Sequence, residues 1–364
     1  ATPSGPSWSA DSVGLLAEAV GATLDVDAYG PLLRVGTDAM PPQGGVAPLS
    51  EIGLISVAGA EAVSFLHGQL TQDVEHLSPG IARWAGFCSP KGRLMSTFRL
   101  WRDDSALFLS VARPLAAPIA KRLSMFVLRA KARVVNASDA WACFGLAGDA
   151  AAQAGAQWLG CAVPQADAAA CALGSDGLAR GHLVGLPAVT VPATDAPLPR
   201  WLLVVPADQA TEVWGRLTAV SSPMSGLAWR HAEVLSAVPR IVPATQELFV
   251  PQMINFESVD GVNFRKGCYP GQEVVARSQY LGKLKRRMFL AHGLGVEPAP
   301  GSDVLPASGG EPCGQVVLAA ADGAGGFDVL FEARTEALDA GAPRTVDGTV
   351  LTVRALPYAL KSID

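Results

Sequence analysis

Glycine and proline set the tightest limit on how this chain can fold. Its 364 residues include 38 Gly and 27 Pro, so long uninterrupted helices are excluded and short elements must be joined by many turns. The hydrophobic share of 49% provides sizeable cores and excludes wholesale disorder. The length suits two or three domains. Apolar spacing predicts a helix over Ala10–Val20, whereas Gly36 to Pro48 reads as a connector. Strand-like runs follow at Ile52–Val57, Arg83–Cys88, Arg93–Trp101 and Ala106–Val111, with Ser89-Pro90-Lys91-Gly92 as the turn between the second and third. Ala62, Phe65, Leu66 and Leu70 repeat at helical spacing. Pro114 suits the first turn of a helix running towards Leu128, and Leu227–Leu235 reads as another. Another αβ set follows from Trp141 to about Leu217; its middle is Ala/Gly/Pro-rich and weakly patterned, which reads as a variable peripheral domain, and Trp201–Val205 is a buried-strand candidate within it. From Met288 onward, short strands between Gly/Pro/Asp turns suit a small C-terminal β-barrel. The expected class is α+β with a β domain at the C-terminus.

Charge and cysteine usage narrow the function. Charged residues are only 17%, and 28 Lys+Arg against 33 Asp+Glu leave a net charge of −5. That excludes a globally basic nucleic-acid binder. None of the six cysteines forms a C-x-x-C pair, so spacing gives no zinc ribbon or iron–sulfur ligand set. The five histidines never fall within four residues of one another, and each reads as a surface or core-edge residue. No stably bound metal is expected. No apolar run reaches the roughly 18 residues of a membrane span, and the first residues do not resemble a signal peptide. The expectation is a soluble cytoplasmic protein without a membrane partner. Nucleotide P-loop, dinucleotide, zinc-protease and serine-hydrolase motifs are all absent.

One segment stands apart, from Gly261 to Arg277. Cys268 lies between Gly267 and Gly271, two residues after Lys266 and ahead of a helix-compatible run from Gln272 to Arg277. A cysteine beside a lysine at a helix start has its thiolate favoured by cation and dipole. Flanking glycines let a ligand or another backbone approach. A structural cysteine in a tight turn is the alternative that the residues alone leave open. Between Arg265 and Arg287 there are seven basic residues (Arg265, Lys266, Arg277, Lys283, Lys285, Arg286, Arg287) and one acid, Glu273. Such a run attracts a carboxylated or phosphorylated partner or forms a solvated face. A second basic stretch holds Lys121, Arg122, Arg129, Lys131 and Arg133.

Lys266-Gly-Cys-Tyr-Pro-Gly-Gln-Glu273 with Val275-Ala-Arg277 resembles the signature of the YgfZ family. The resemblance extends to Gly59–Asp73, to Cys88-Ser-Pro-Lys-Gly-Arg93 and to Leu356-Pro-Tyr358. It implies a folate-binding protein of iron–sulfur cluster assembly or repair that supports tRNA modification through cluster enzymes. Members are relatives of the glycine-cleavage T-protein, an aminomethyltransferase. The implied fold is an aminomethyltransferase-like three-domain ring. Its first α+β domain is 48–139 completed by about 222–287, its second is 140–221, and its β-barrel is 288–364. By the same resemblance, Cys268 and Lys266 are the catalytic candidates. Trp229, Lys91, Arg93, Gln272 and Glu273 are the candidates for tetrahydrofolate, and Gly267, Tyr269, Gly271 and Arg277 complete the motif. A second folate-associated tryptophan of the family corresponds to Ile52 here. The acidic pair of the aminomethyltransferase is replaced by Ser96 and Thr97, neither of which is a general acid or base near neutral pH. Folate-dependent aminomethyl or other one-carbon transfer, with Glu273 or Asp73 as the acid, is the alternative. The implied partners are folate and iron–sulfur client or assembly proteins. An RNA-binding module on Arg265–Arg287, with Phe264, Tyr269, Tyr280 and Phe289 as stacking rings, ranks behind both, so direct nucleic-acid binding is not expected.

Overall fold

The computed structural model describes residues 10–164, 170–173, 181–191, 194, 196–280 and 284–361. Lys283 and most of the Ala/Gly-rich middle of the expected peripheral domain lie outside them. In chain order the elements are α1 (Ala10–Val20), β1 (Thr23–Asp27), β2 (Gly30–Arg34), β3 (Gly45–Pro48), β4 (Ile52–Ala58), α2 (Ala62–His67), β5 (Arg83–Cys88), β6 (Leu94–Arg102) and β7 (Leu107–Ala112). Next come α3 (Arg113–Ser124), β8 (Arg133–Asn136), β9 (Trp141–Ala147), α4 (Asp149–Leu159), β10 (Ala170–Leu173), β11 (Gly181–Thr190), β12 (Pro197–Pro206), α5 (Ala210–Thr218) and α6 (Gly226–Leu235). The rest are α7 (Gln272–Tyr280), β13 (Arg286–Leu294), β14 (Asp303–Leu305), β15 (Gly314–Ala321), β16 (Gly326–Arg334), α8 (Thr335–Asp339), β17 (Arg344–Thr345) and β18 (Thr352–Arg354).

The chain groups into two compact units. The first comprises Ala1–Phe65, Glu75–Arg83 and Arg99–Trp229, and the second Leu66–Val74, Trp84–Phe98 and Arg230–Asp364. In the first unit an antiparallel sheet runs β10-β11-β12-β9-β3. Alternate residues of β9, Ala142, Phe144 and Leu146, join Leu203 and Val205 of β12 in one core, the face that period-two alternation delivers. Helices α1, α4 and α5 cover that face through Val13, Leu16, Ala152, Ala156, Val213 and Leu217. Small residues let α4 lie close: a Cβ on Gly155 would come within 2.8 Å of Leu146. A second set of strands pairs Arg99–Arg102 of β6 with β7, β7 with β4, and β4 with β8. Helix α3 rests on β4 at Gly53, where a Cβ would meet Ala116 at 2.9 Å.

The second unit contains a curled, antiparallel half-barrel of order β17-β14-β15-β16-β13-β18, in the turn-punctuated stretch from Met288 where a small β-barrel is expected. Its core holds Val316, Ala319, Phe327, Val329 and Phe331. Buried polar residues tie the preceding segment to it. The Asn255 amide donates to the Met288 carbonyl at 2.8 Å, and Arg287 pairs with Glu257. Gln252 donates to the Val275 carbonyl at 2.7 Å, fixing α7.

The connector expected over Gly36–Pro48 contains β3, and the β1–β2 hairpin just before it carries no period-two burial signal in β1, whose five residues are all exposed. Helix α3 stops at Ser124, short of Leu128.

Candidate functional site

Helix α2 ends at His67, leaving carbonyl groups without intrahelical donors. The Lys266 ammonium supplies them: it donates to the His67 carbonyl and, at 2.9 Å, to the Leu70 carbonyl. It also lies 4.9 Å from the centre of the Tyr269 ring. A cation at a helix C-terminus is favoured by the dipole, so Lys266 anchors the motif loop to the end of α2. The sequence reading gave this charge to the Cys268 thiolate; the structure places it on two carbonyl oxygens. Thr71 adds a second stitch, donating to the Gly261 carbonyl at 2.6 Å and accepting the Gly86 N–H at 2.7 Å. Gln72 donates to the carbonyls of Asp260 and Trp84.

The other end of the loop is held by glycine. The turn after β5 closes with Ser89 N–H on the Arg93 carbonyl at 2.8 Å and Gly92 N–H on the Ser89 carbonyl at 2.9 Å. Gly92 and Gly271 both have left-handed φ, +71° and +79°. A Cβ on Gly271 would stand 2.4 Å from the Ser89 carbonyl oxygen and 2.6 Å from the Gly92 Cα. The two turns therefore pack backbone against backbone, which side chains would forbid.

Between these anchors Gly267 and Cys268 are exposed, while Tyr269 is buried beneath them. Burial, with a smaller effect of Cys88, pushes the Tyr269 phenol up, so it stays protonated. Burial likewise pushes the Cys88 thiol up to about 12 and that of Cys143 to about 11. Cys313 is buried too. Cys161 is partly covered, and the Cys171 side chain lies outside the described residues. Accessible thiol chemistry among the described cysteines thus concentrates at Cys268.

His67 and Asp73 adjoin the same loop. His67 Nδ1 lies 3.3 Å from Asp73 Oδ1. A Cβ on Gly267 would meet His67 Nε2 at 3.6 Å and no other atom closer than ordinary contact. The imidazole edge therefore faces the backbone that leads into Cys268. Sequence reasoning treated His67 as a surface or core-edge residue and raised Asp73 only as an alternative acid. Both lie in the Gly59–Asp73 stretch that carries part of the resemblance, and that is where the signal lay.

The remaining candidates divide. Lys91, Arg93, Gln272, Glu273 and Arg277 lie in the second unit with Cys268. Lys91 is exposed, and Arg93 donates to the carbonyls of Leu248 and Glu247. Glu273 and Arg277 form an exposed i,i+4 pair at 4.0 Å. Trp229 belongs to the first unit. Its ring is 3% exposed, packs on Gly145, where a Cβ would come within 2.4 Å, and carries the Arg200 guanidinium 5.2 Å from its centre. Stacking on a flat heterocycle needs an open ring face, and Trp229 is covered. Ile52 is buried in β4. Ser96 and Thr97 are buried as well. Thr97 donates to the Pro239 carbonyl at 3.3 Å and accepts the Ile241 N–H at 3.1 Å.

The basic run is largely occupied locally. Arg286 binds Glu332, Arg287 binds Glu257, Arg277 faces Glu273 and Lys266 holds carbonyl oxygens.

No family profile matches the chain. Curated relatives do. The tRNA-modifying protein YgfZ of Vibrio vulnificus strain YJ016 is 33% identical over 266 residues, 73% of this chain and 75% of that protein. The protein of the same name from Edwardsiella ictaluri is 32% identical over 240 residues, 66% of this chain and 68% of that one. Among solved structures, the glycine cleavage system aminomethyltransferase T from Bartonella henselae superposes with a TM-score of 0.70 at 14% identity, covering 97% of this chain and 99% of that one. The chain therefore has the aminomethyltransferase fold.

Proposed function

This chain belongs to the YgfZ family of tRNA-modifying proteins, and on that premise we propose that it is a tetrahydrofolate-binding accessory protein of iron–sulfur cluster assembly or repair. It supports tRNA modification through cluster enzymes, works in the cytoplasm, and uses Cys268 as its working thiol. The observation that carries this reading is the placement of Cys268. It is exposed on a loop anchored by Lys266 at one end and by the Gly92–Gly271 contact at the other, beside the His67–Asp73 pair. In its neutral form, an imidazole whose Nδ1–H faces a carboxylate presents Nε2 as a proton acceptor. That arrangement suits proton transfer at a ligand lying over Gly267 against Cys268. One thiolate cannot hold a cluster that needs four ligands, so the contact is shared with a client or is transient.

The folate half rests on the family and the fold. The exposed Lys91 and Arg93 side chains suit the carboxylates of a glutamate tail. Trp229 does not offer a free face for a pterin, because Gly145 and Arg200 occupy its surroundings. Bound tetrahydrofolate would supply a one-carbon carrier. Aminomethyl transfer at the position of the aminomethyltransferase acidic pair is disfavoured, because Ser96 and Thr97 are buried and Thr97 is committed to backbone groups.

The test pairs a tetrahydrofolate titration, followed by tryptophan fluorescence and calorimetry, with Cys268→Ser in a deletion strain assayed for a cluster enzyme. Saturable binding and a folded variant that fails to rescue are expected. No binding at millimolar folate removes the cofactor, and full rescue by Cys268→Ser removes the thiol role. Turnover of an aminomethyl donor would favour the transferase instead.

A further inference from the structure

The second basic stretch of the sequence folds into one continuous knuckle of the first unit, from the last turn of α3 through residues 125–132 into β8. Its own backbone closes it. Phe126 N–H reaches the Leu123 carbonyl at 3.0 Å, Ala130 N–H the Val127 carbonyl at 2.7 Å, and Ala132 N–H the Ala130 carbonyl at 2.8 Å. On this formed turn Met125, Phe126 and Leu128 stand 69%, 44% and 89% exposed. Three large apolar side chains within four residues are thus held in water by a folded backbone. Leu128 occupies the left-handed region at φ +41°, which is unfavourable for a residue with a Cβ.

Cations flank the apolar tip on both sides. Lys121 and Arg122 precede it, and Arg129, Lys131 and Arg133 follow. All five side chains are exposed, and no Asp or Glu occurs between Arg113 and Asp139. Glu61 accepts the backbone N–H of Lys131. From Met125 to Val135 no side chain other than these cations can form a hydrogen bond. A specific protein or RNA interface reads its partner through directional hydrogen bonds and, for RNA, through stacked rings. Here there is one ring, and the other two protruding side chains are Met and Leu.

We propose that this knuckle docks the protein reversibly on an anionic lipid surface, with Met125, Phe126 and Leu128 entering the headgroup boundary and the five cations meeting acidic headgroups. A fluid, uniformly negative surface needs no directional readout, and a weak apolar insertion joined to a basic patch is the two-signal combination that gives stable peripheral binding. The sequence-level expectation of no membrane partner came from the lack of a spanning segment. Among the described residues no helix is long and apolar enough to cross a membrane, and surface docking requires none.

The test uses the full chain and sucrose-loaded vesicles of phosphatidylcholine, alone or mixed with phosphatidylglycerol. Co-sedimentation with the mixed vesicles and little with the pure ones is expected at low salt, weakening as salt screens the headgroups. Lys121→Gln with Arg122→Gln lowers partitioning roughly twenty-fivefold, at about fivefold per basic residue. Leu128→Gln lowers it roughly tenfold or more. Equal partitioning onto both vesicle types, or partitioning unchanged in these variants, overturns the proposal. So does binding of a short single-stranded RNA that is lost in the same variants while vesicles are ignored, which hands the surface to nucleic acid.

Discussion

Gly271→Ala is the sharpest perturbation of the site, because two independent costs fall on one methyl group. The first is conformational: at φ +79° an L-residue pays about 1–2 kcal/mol relative to glycine. The second is steric. The new Cβ would sit 2.4 Å from the Ser89 carbonyl oxygen and 2.6 Å from the Gly92 Cα and N, which are backbone atoms that no rotamer change can move. Overpacking of that kind adds about 1–3 kcal/mol. The expected loss is about 3 kcal/mol, read as a lower urea midpoint at unchanged slope. Gly267→Ala is the internal control. Its Cβ would meet only His67 Nε2, at an ordinary 3.6 Å, so its stability should stay within about 0.5 kcal/mol of the parent. Its function should fall nonetheless, because the methyl group occupies the approach to Cys268. If the two variants unfold at the same urea concentration, the backbone-to-backbone contact does not hold the loop and the reasoning fails.

Two further outcomes are expected. His182 is buried in the first unit between Trp101, Phe108 and Trp141, and burial, partly offset by Asp103, lowers its pKa to about 4. Below the unfolded value of about 6.5 the unfolded chain therefore binds a proton that the folded chain refuses, and stability falls as pH falls from about 6.5 towards 4. His182→Phe should shrink the stability difference between pH 7 and pH 5 by about 2 kcal/mol, and an unchanged acid profile in urea titrations refutes the assignment. In the second unit Asp328 receives His231 Nε2 and Arg354 Nη1, each at 2.8 Å. Asp328→Ala should cost about 3 kcal/mol, at the low end for breaking a buried pair, because Arg354 is 37% exposed and can turn to water. A loss under about 1 kcal/mol in thermal or urea unfolding would mean the carboxylate is not what joins α6 to the half-barrel.

The elements that read correctly from sequence are those bounded by punctuation. Helix α1, β5 and the Ser89–Arg93 turn lie between Gly or Pro residues and apolar runs of the right period, and the structure has them where expected. Strand β1, Thr-Leu-Asp-Val-Asp, has alternation, but neither face is buried; a two-stranded hairpin with a solvated strand carries no core signal to detect. Helix α3 looked longer because Leu123, Phe126 and Val127 continue its apolar spacing, yet the backbone turns left-handed at Leu128 and leaves that apolar surface in water. At the site the octapeptide was legible, and the roles within it were not. Lys266 serves carbonyls 199 and 196 residues away. Trp229 is covered by Gly145 and Arg200 of other strands. Spacing cannot express either relation, since both are products of tertiary packing.

These placements separate what holds the loop from what can react on it. Lys266 reads as the activating cation when only the octapeptide is visible, but its ammonium is spent on the end of α2. Thr97 reads as a candidate polar group on β6, but its hydroxyl both donates to and accepts from backbone. The groups adjoining the loop that carries the exposed thiol are the imidazole of His67, the last residue of α2, and the carboxylate of Asp73 beyond it, 3.3 Å apart. A hydroxyl fixed by two backbone bonds is no general acid or base near neutral pH, whereas imidazole and carboxylate groups are the side chains that commonly serve as one. On the function proposed above, proton handling falls to His67 and Asp73 on the approach to Cys268, and Lys266 contributes by keeping that approach in register. It follows that a Lys266 variant should lose function through displacement of the loop, and restoring positive charge elsewhere near Cys268 should not bring it back.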